Sequence, residues 1–393
     1  MTSGDAGQRR ARRRDRQVYL RSHPFLFLML AAGRRQPSVR LGGTVIAHSR
    51  EAFTDGLTRV PLDRTADGTT GAAAGRLAGD GLLFDQDGDG HRGARREVAE
   101  SLGADGVTRL RPIWISVLHR RLAPLADGHP VDLVDIAAEL SGATAAALLK
   151  LDADPLRLAA AAREAAAAGA REHVPGLVLP RHRNAARQAV DRLNALVSPT
   201  RAPSAGLPPK ATAGGDGLGA GTAFGNTAGG DGLGAMLAVA AINTTVAGLP
   251  RAAAWCADAD LWEYAETAPE ALTAELLRVT APTPLLPRVA AAAGTVAGRT
   301  VRAGDRLILI ARHAVGAHRD DPAPAEPAPQ RVAQLVFGVG PHACPGARLA
   351  RMQFTDTLAA LAPYRPVVLA ARADRHSALP SWSSLIMAPG KRH

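Results

Sequence analysis

The chain has 393 residues, 46% hydrophobic and 21% charged, which suits a soluble globular protein with a large buried core. Its formal charge is +11, and much of the excess lies in the run from Arg9 to Arg16. There is no zinc-finger spacing and no basic stripe interleaved with aromatics, so the composition argues against nucleic-acid binding. Two cysteines, Cys256 and Cys344, are too few for a disulfide framework and suit a reducing, cytoplasmic compartment.

Residues 1–18 read as a disordered basic tail. Residues 19–33 read as a helix. Its apolar stretch, Pro24 to Ala32, is too short for a bilayer, which takes about 20 apolar residues. Gly33-Arg34-Arg35 follows it in place of a small-residue cleavage site. The expectation is a buried helix near the start of the fold and no membrane association. Two alternating runs around Gly42-Gly43, Ser38–Leu41 and Thr44–His48, predict a hairpin, and Arg50–Leu57 predicts a helix. Residues 60–90, rich in Gly, Asp and Thr, read as a long loop.

From His91 to about Asp152 the pattern is helical, punctuated by Pro112, Pro124 and Pro130. Leu156–Gly169 and His182–Val197 are further helices. Residues 198–231 are a low-complexity, flexible insertion. Within and just beyond it the sequence TAGGDGLGA occurs at 212–220 and again at 227–235. That repeat lacks the Gly-Lys-Ser/Thr ending of a phosphate-cradling loop. Leu233–Val246 and 268–279 predict helices, and Gly298–Ile310 predicts two strands. Residues 317–334 read as irregular, Gly346–Leu361 as a helix, and the last thirty residues as short strands and turns. The expected class is mainly α with small β-sheets.

The most informative stretch runs from Phe337 to Gly346, FGVGPHACPG. A Gly-rich turn lets backbone N–H groups approach a thiolate and stabilise its charge. The helix that follows aims its positive end at the same place. A lone cysteine before a helix is more often a structural one. Here, however, Phe337, Gly338, Gly340, His342, Cys344 and Gly346 match every fixed position of Phe-Gly-x-Gly-x-His-x-Cys-x-Gly. On these residues the chain resembles the bacterial soluble cytochrome P450 family, the haem-thiolate monooxygenases.

Other positions extend the resemblance over nearly the whole chain. Glu275 and Arg278, spaced for an i,i+3 ion pair, resemble the family's Glu-x-x-Arg motif, with Arg331 the candidate third member of that structural core. His91 and Arg95 resemble its His-x-x-x-Arg pair. Together with Arg288 and His342 they are expected to hold haem propionates. Ala240-Ala-Ile-Asn-Thr-Thr245 falls where the family carries Ala-Gly-x-Asp/Glu-Thr-Thr. Thr244 and Thr245 match, while Ala241 and Asn243 replace the glycine and the acid. An amide cannot ionise, so Asn243 departs from the usual proton relay.

The resemblance implies a P450 fold in one large domain over 19–393, binding haem b (iron protoporphyrin IX) through Cys344 as iron ligand. It places Ala240, Thr244, Val336, Phe337, Gly338, Gly346 and Ala350 against the cofactor. Thr244, Asn243 and Thr245 become the catalytic set, and Met236, Ala240 and Pro284 face the substrate. The reaction implied is insertion of oxygen from O2 into a small organic molecule, free or carrier-tethered, in secondary-metabolite tailoring. Electrons are expected from a ferredoxin and its reductase, because no flavin or nicotinamide fingerprint is present. Arg92, Arg96, Arg348 and Arg351 suit an acidic donor. The expected state is a monomer. Two alternatives stay open on Asn243: an oxidative-coupling enzyme that inserts no oxygen, and a haem-binding module that docks a partner without catalysis.

Overall fold

The computed structural model describes residues 3–67, 69, 72, 98, 100–173, 180–197 and 230–390. The helices are α1 (Ser3–Ser22), α2 (Pro24–Gly33), α3 (Arg50–Thr58), α4 (Ala104–Leu122), α5 (Leu133–Leu149), α6 (Pro155–His173) and α7 (Pro180–Val197). They continue as α8 (Gly230–Ala259), α9 (Trp262–Thr267), α10 (Pro269–Thr280), α11 (Ala311–Ala314), α12 (Gln330–Ala333) and α13 (Ala347–Leu361). The strands are β1 (Ser38–Leu41), β2 (Thr44–Ala47), β3 (Leu62–Asp63), β4 (Val131–Asp132), β5 (Leu286–Ala290) and β6 (Gly294–Val296). The last four are β7 (Arg299–Val301), β8 (Arg306–Leu309), β9 (Val367–Ala373) and β10 (Trp382–Ala388).

Apolar periodicity builds the helical part. In α4, Val107, Leu110, Trp114, Val117, Leu118 and Leu122 are buried at three- and four-residue spacing. Local signals mark the starts. Ser49 caps α3 by accepting from the Ala52 N–H, and Asp132 caps α5 by accepting from Val134. Among the described residues α8 alone is long and apolar enough to cross a membrane, yet 61% of that stretch is buried within the fold. It packs against α1, α5, α6, α7, α10 and α13.

A five-stranded sheet, in the order β1-β2-β8-β5-β3, lies beside this helical core and has its own smaller apolar cluster. The β1–β2 hairpin turns at Gly42, whose φ is 58°. β2 and β8 pair in parallel, Thr44 opposite Arg306 and Ala47 opposite Leu309. A second sheet, β4-β10-β9, joins Val131 to Met387. The strand β5 escapes sequence patterning because Pro287 interrupts it, although it pairs with β8 from Leu286 to Val289.

Two expectations about the N-terminus are corrected. The basic run is not a disordered tail but lies within α1, held by its inward face. Arg12 pairs with Asp321 at 2.5 Å and Arg14 with Asp258 at 2.6 Å. Asp15 lies between two cations, Arg251 at 2.6 Å and Arg312 at 3.4 Å. Tyr19 donates to the Thr280 carbonyl at 2.7 Å and accepts from Arg251 at 2.8 Å. Both guanidiniums also lie over its ring, at 4.7 and 4.1 Å. The second correction concerns residues 19–33, which are not one buried helix. Pro24 ends the run and starts α2. On α2, Phe25, Leu28 and Met29 are exposed. The repeat at 212–235 and the insertion 198–231 lie largely outside the described residues. The 60–90 loop does too, apart from its first residues.

The Glu275–Arg278 pair is fully buried, with contacts of 2.9 and 2.5 Å. The third member differs from the expectation. Arg331 is exposed on α12 and is not among the partners. Instead the Glu275 carboxylate accepts the Ala323 and Ala328 N–H groups, each at 3.0 Å, while Arg278 donates to the Val315 and Asp321 carbonyls. The irregular segment folds its own backbone onto the pair, so it needs no second arginine.

Asp15→Asn leaves Arg251 and Arg312 buried without their carboxylate. A loss of about 3 kcal/mol in unfolding free energy is expected, read from urea denaturation. Burial pushes the Glu275 carboxyl up, but Arg278 and the two N–H donors outweigh it, so the net shift is downward. Its stabilisation is therefore complete above the unfolded-state value, about 4.3, and is lost as pH falls through the lower folded value. Glu275→Gln is expected to flatten the acid limb of a stability–pH curve measured between pH 6 and 2.

Candidate active site

Cys344 sits between the 3-10 turn Gly340–His342 and the N-terminus of α13, and its side chain is exposed. The loop that presents it is closed by one backbone bond, from the Cys344 N–H to the Phe337 carbonyl at 2.7 Å. Two glycines make this closure possible. Gly338 has φ 74° and ψ −174°, a region open essentially to glycine alone, and Gly340 has φ 68°. A Cβ on Gly340 would also stand 3.2 Å from the Thr58 methyl on α3. A Cβ on Gly346 would lie 3.8 Å from the Cys344 sulfur, so the thiol lies against the first turn of α13. The positive end of that helix favours a thiolate there.

Charge reinforces this. The Arg351 guanidinium lies 4.7 Å over the Phe337 ring. Burial lowers its pKa, the nearby Cys344 opposes that shift, and Arg348 adds to it. Cys256 has the opposite setting. It is buried within α8, and desolvation pushes its thiol far up, so it stays protonated. The two cysteines are thus separated by environment into one reactive and one inert. Val336 and Phe337 pack at the edge of the large core, and the Ala350 N–H bonds to the Gly346 carbonyl at 2.9 Å.

On α8, Ala240 is exposed in the middle of an otherwise buried helix. Thr244, one turn on, is half-buried and donates to the Ala240 carbonyl at 2.8 Å. Gly248 continues the same face. A Cβ there would come within 2.8 Å of the Phe354 ring on α13 and 2.6 Å of Pro282. This close crossing fixes the Thr244 face of α8 against the helix that begins beside Cys344. Thr245 is buried in the core and Met236 is 4% exposed. Pro284 is buried, with its carbonyl taken by the Arg312 N–H.

Asn243 points elsewhere. Its amide N–H groups donate to the Val239 carbonyl at 2.9 Å and the Ala162 carbonyl on α6 at 3.2 Å. With both donors engaged, the residue ties α8 to α6. It also lines a cleft of about 310 Å³ with Ala160, Arg163, Asp374, Ser377 and Leu379. An ion pair of 3.2 Å between Arg163 and Asp374 crosses the cleft wall. Arg163 and Asp374 were not foreseen, because two charges 211 positions apart carry no local signal. Met236 and Pro284 do not line this cleft.

Arg288 lies half-buried on β5. Burial pushes its guanidinium down to about 10, and the neighbouring Arg64 cation adds to that. An anion arriving there would relieve both effects. His91 and Arg95 lie outside the described residues, and of His342 only the backbone turn is described.

No protein-family model and no curated protein matches the sequence. Solved structures do match. EryK from S. erythraea in its open form is 20% identical at TM-score 0.69, with 94% of this chain and 96% of that one covered. CYP175A1 from Thermus thermophilus is 19% identical at TM-score 0.73, covering 95% and 96%. P450BioI, seen in complex with an acyl carrier protein bearing hexadec-9Z-enoic acid, is 16% identical at TM-score 0.71, covering 95% and 99%. The chain has the cytochrome P450 fold. Within this P450 fold, α8 is the long central helix and Cys344 precedes α13, the arrangement expected from the cysteine-loop motif.

Replacing Asn243 by aspartate sets a carboxylate against the carbonyls of Val239 and Ala162. Asn243→Asp is expected to lose about 1–3 kcal/mol at pH 7. It should recover part of that as pH falls, because protonation restores a donor; thermal unfolding at pH 7 and pH 5 measures the difference.

Proposed function

We propose that the chain is a haem-thiolate monooxygenase of the P450 type, with Cys344 as the iron ligand. The observation that carries this reading is the exposed Cys344 thiol at the head of α13, on a loop that only Gly338 and Gly340 allow to close. The donor set fits haem. It offers one exposed thiol against a helix N-terminus, and a partly buried arginine, Arg288, for which a propionate is a natural partner. His91, Arg95 and His342 complete the propionate set in this reading, while Val336, Phe337, Gly346 and Ala350 form the proximal wall.

When bound, haem supplies oxygen activation, and thiolate ligation favours O–O cleavage. The chain's residues then hold substrate and control protons. Thr244, on the exposed face beside Ala240, holds a proton at its hydroxyl and can pass it outward while accepting another. Asn243 acts as a positioning residue that fixes α8 on α6. The cleft between α6, α8 and the 374–381 turn receives a small organic substrate. EryK is a structure solved with erythromycin B and P450BioI one solved with a loaded carrier protein. These neighbours support a tailoring role on a free or carrier-tethered metabolite in a bacterial cytoplasm. Exposed Arg348 and half-buried Arg351 beside the cysteine loop suit an acidic ferredoxin served by its reductase.

A second reading, oxidative coupling without oxygen insertion, is favoured by the amide at Asn243, which offers no ionisable relay. Incorporation of label from 18O2 into product separates the two.

The deciding experiment is the absorption spectrum of the purified, dithionite-reduced protein under carbon monoxide. A strongly red-shifted Soret band is expected, lost in Cys344→Ala and retained in Cys256→Ala. A histidine-like band, or a protein purified without haem under haem-replete expression, overturns the reading.

A further inference from the structure

The helix α2 is apolar all round, PFLFLMLAAG, and yet among its described side chains one whole face is exposed. Phe27 meets Ile46, Ile308 and Ile310 and sits edge-on to Tyr19 at 4.6 Å. The opposite side carries Phe25, Leu28 and Met29 at 87%, 59% and 50% exposure, and Leu20 at the end of α1 adds 48%. Spacing of 25, 28 and 29 puts the three on a single face. A helix apolar on every side is ordinarily buried, either in a core or in lipid.

Around this face the exposed charges are mainly positive, Asp5 at the start of α1 being the acidic exception. On α1, Arg9, Arg13 and Arg16 share the outward face with Leu20, directly opposite the packed residues Ala11, Asp15, Val18 and Ser22. Arg34 and Arg35 follow α2, also exposed. Among the described residues none of these five arginines forms an ion pair, whereas the inward Arg12 and Arg14 each have a carboxylate. Burial lowers the Arg16 pKa, and Arg12, Arg312 and Arg34 lower it further while Asp321 opposes them, so Arg34 after α2 lies near Arg16 of α1. The cations crowd one another at the border of the apolar face.

We propose that the α1–α2 face docks on an anionic lipid surface, with α2 lying in the plane of the interface. Charge complementarity selects this occupant: a basic border around an apolar helix face is the pattern that binds acidic headgroups while its side chains enter the acyl boundary. At ten residues α2 is about 15 Å long, enough to lie in the interface and too short to cross. The sequence alone points away from a membrane because it predicts α2 as a buried helix. The inner side of α1 is joined to the cleft turn, since Ser22 donates to the Asp374 carbonyl at 3.0 Å. Docking therefore places the turn that lines the cleft close to the lipid.

The test is co-sedimentation of the full chain with vesicles of phosphatidylcholine containing 30% phosphatidylglycerol, and with pure phosphatidylcholine. Strong binding to the anionic vesicles, weak binding to the neutral ones, and loss at high salt are expected. Phe25→Glu with Leu28→Glu should abolish binding. Arg34→Glu with Arg35→Glu should weaken it by at least about fivefold per charge. Leu369→Glu, at an exposed apolar site on β9, should bind as wild type. Equal pelleting with and without vesicles overturns the proposal. So does binding that survives Phe25→Glu with Leu28→Glu, which would leave the arginines acting alone. A dimer that dissociates in that variant, without vesicle binding, would assign the face to a second copy and also overturn it. These readouts need no haem, so they stand apart from the carbon monoxide spectrum.

Discussion

A buried carboxylate, that of Glu275, holds the side of the molecule on which the reactive cysteine is displayed. Without partners, an ion so deep would cost several kcal/mol. It is repaid by Arg278 and by two backbone N–H groups from the segment between α11 and α12. Because that segment has no regular secondary structure to satisfy its backbone, the ion pair acts as its scaffold. The segment leads through α12 and the 3-10 turn Gln334–Phe337 into the cysteine loop. The loop's own closure, from Cys344 to Phe337, is a single bond, so its placement depends on what precedes it.

The site joins two kinds of constraint. Near Cys344 the constraint is conformational: Gly338 adopts dihedrals open essentially to glycine alone, Gly340 has a positive φ that side chains rarely adopt, and the thiol comes to rest at a helix end. On α8 it is steric. Gly248 admits Phe354 and Pro282 so closely that no side chain fits between the helices. The first bears on the electrostatics of the sulfur, and the second fixes α8 against α13 at Gly248, one turn beyond Thr244. Asn243, bonded to α6, fixes the remaining rotation of α8.

The parts legible in the sequence are those whose residues act locally. The cysteine loop was legible because its glycines, its cysteine and the helix after it all act within ten positions. Glu275 and Arg278 were legible as an i,i+3 pair, and the β1–β2 hairpin from its Gly-Gly turn. What failed to show was distant or ambiguous. Arg331 had the right charge in the right stretch, but nothing local reveals that Ala323 and Ala328 would take its place. The run from Arg9 to Arg16 looks like a tail because its charges are dense; its carboxylate partners Asp258 and Asp321 lie more than 200 positions away. Pro24 to Ala32 looked like core by composition, and composition cannot tell which side of a helix meets protein. β5 was hidden by its own proline, Pro287.

The pairing of the chain's two ends bears on how the protein is made. β2 waits for β8, β4 waits for β10, and Ser22 waits for Asp374. A ribosome releases β8, Asp374 and β10 long after the elements they pair with, so the first helix emerges with its inner cations and its apolar companion uncovered for much of synthesis. Completion of the sheets is therefore a late event, and removing β10 would leave β4 and β9 without the strand that joins them.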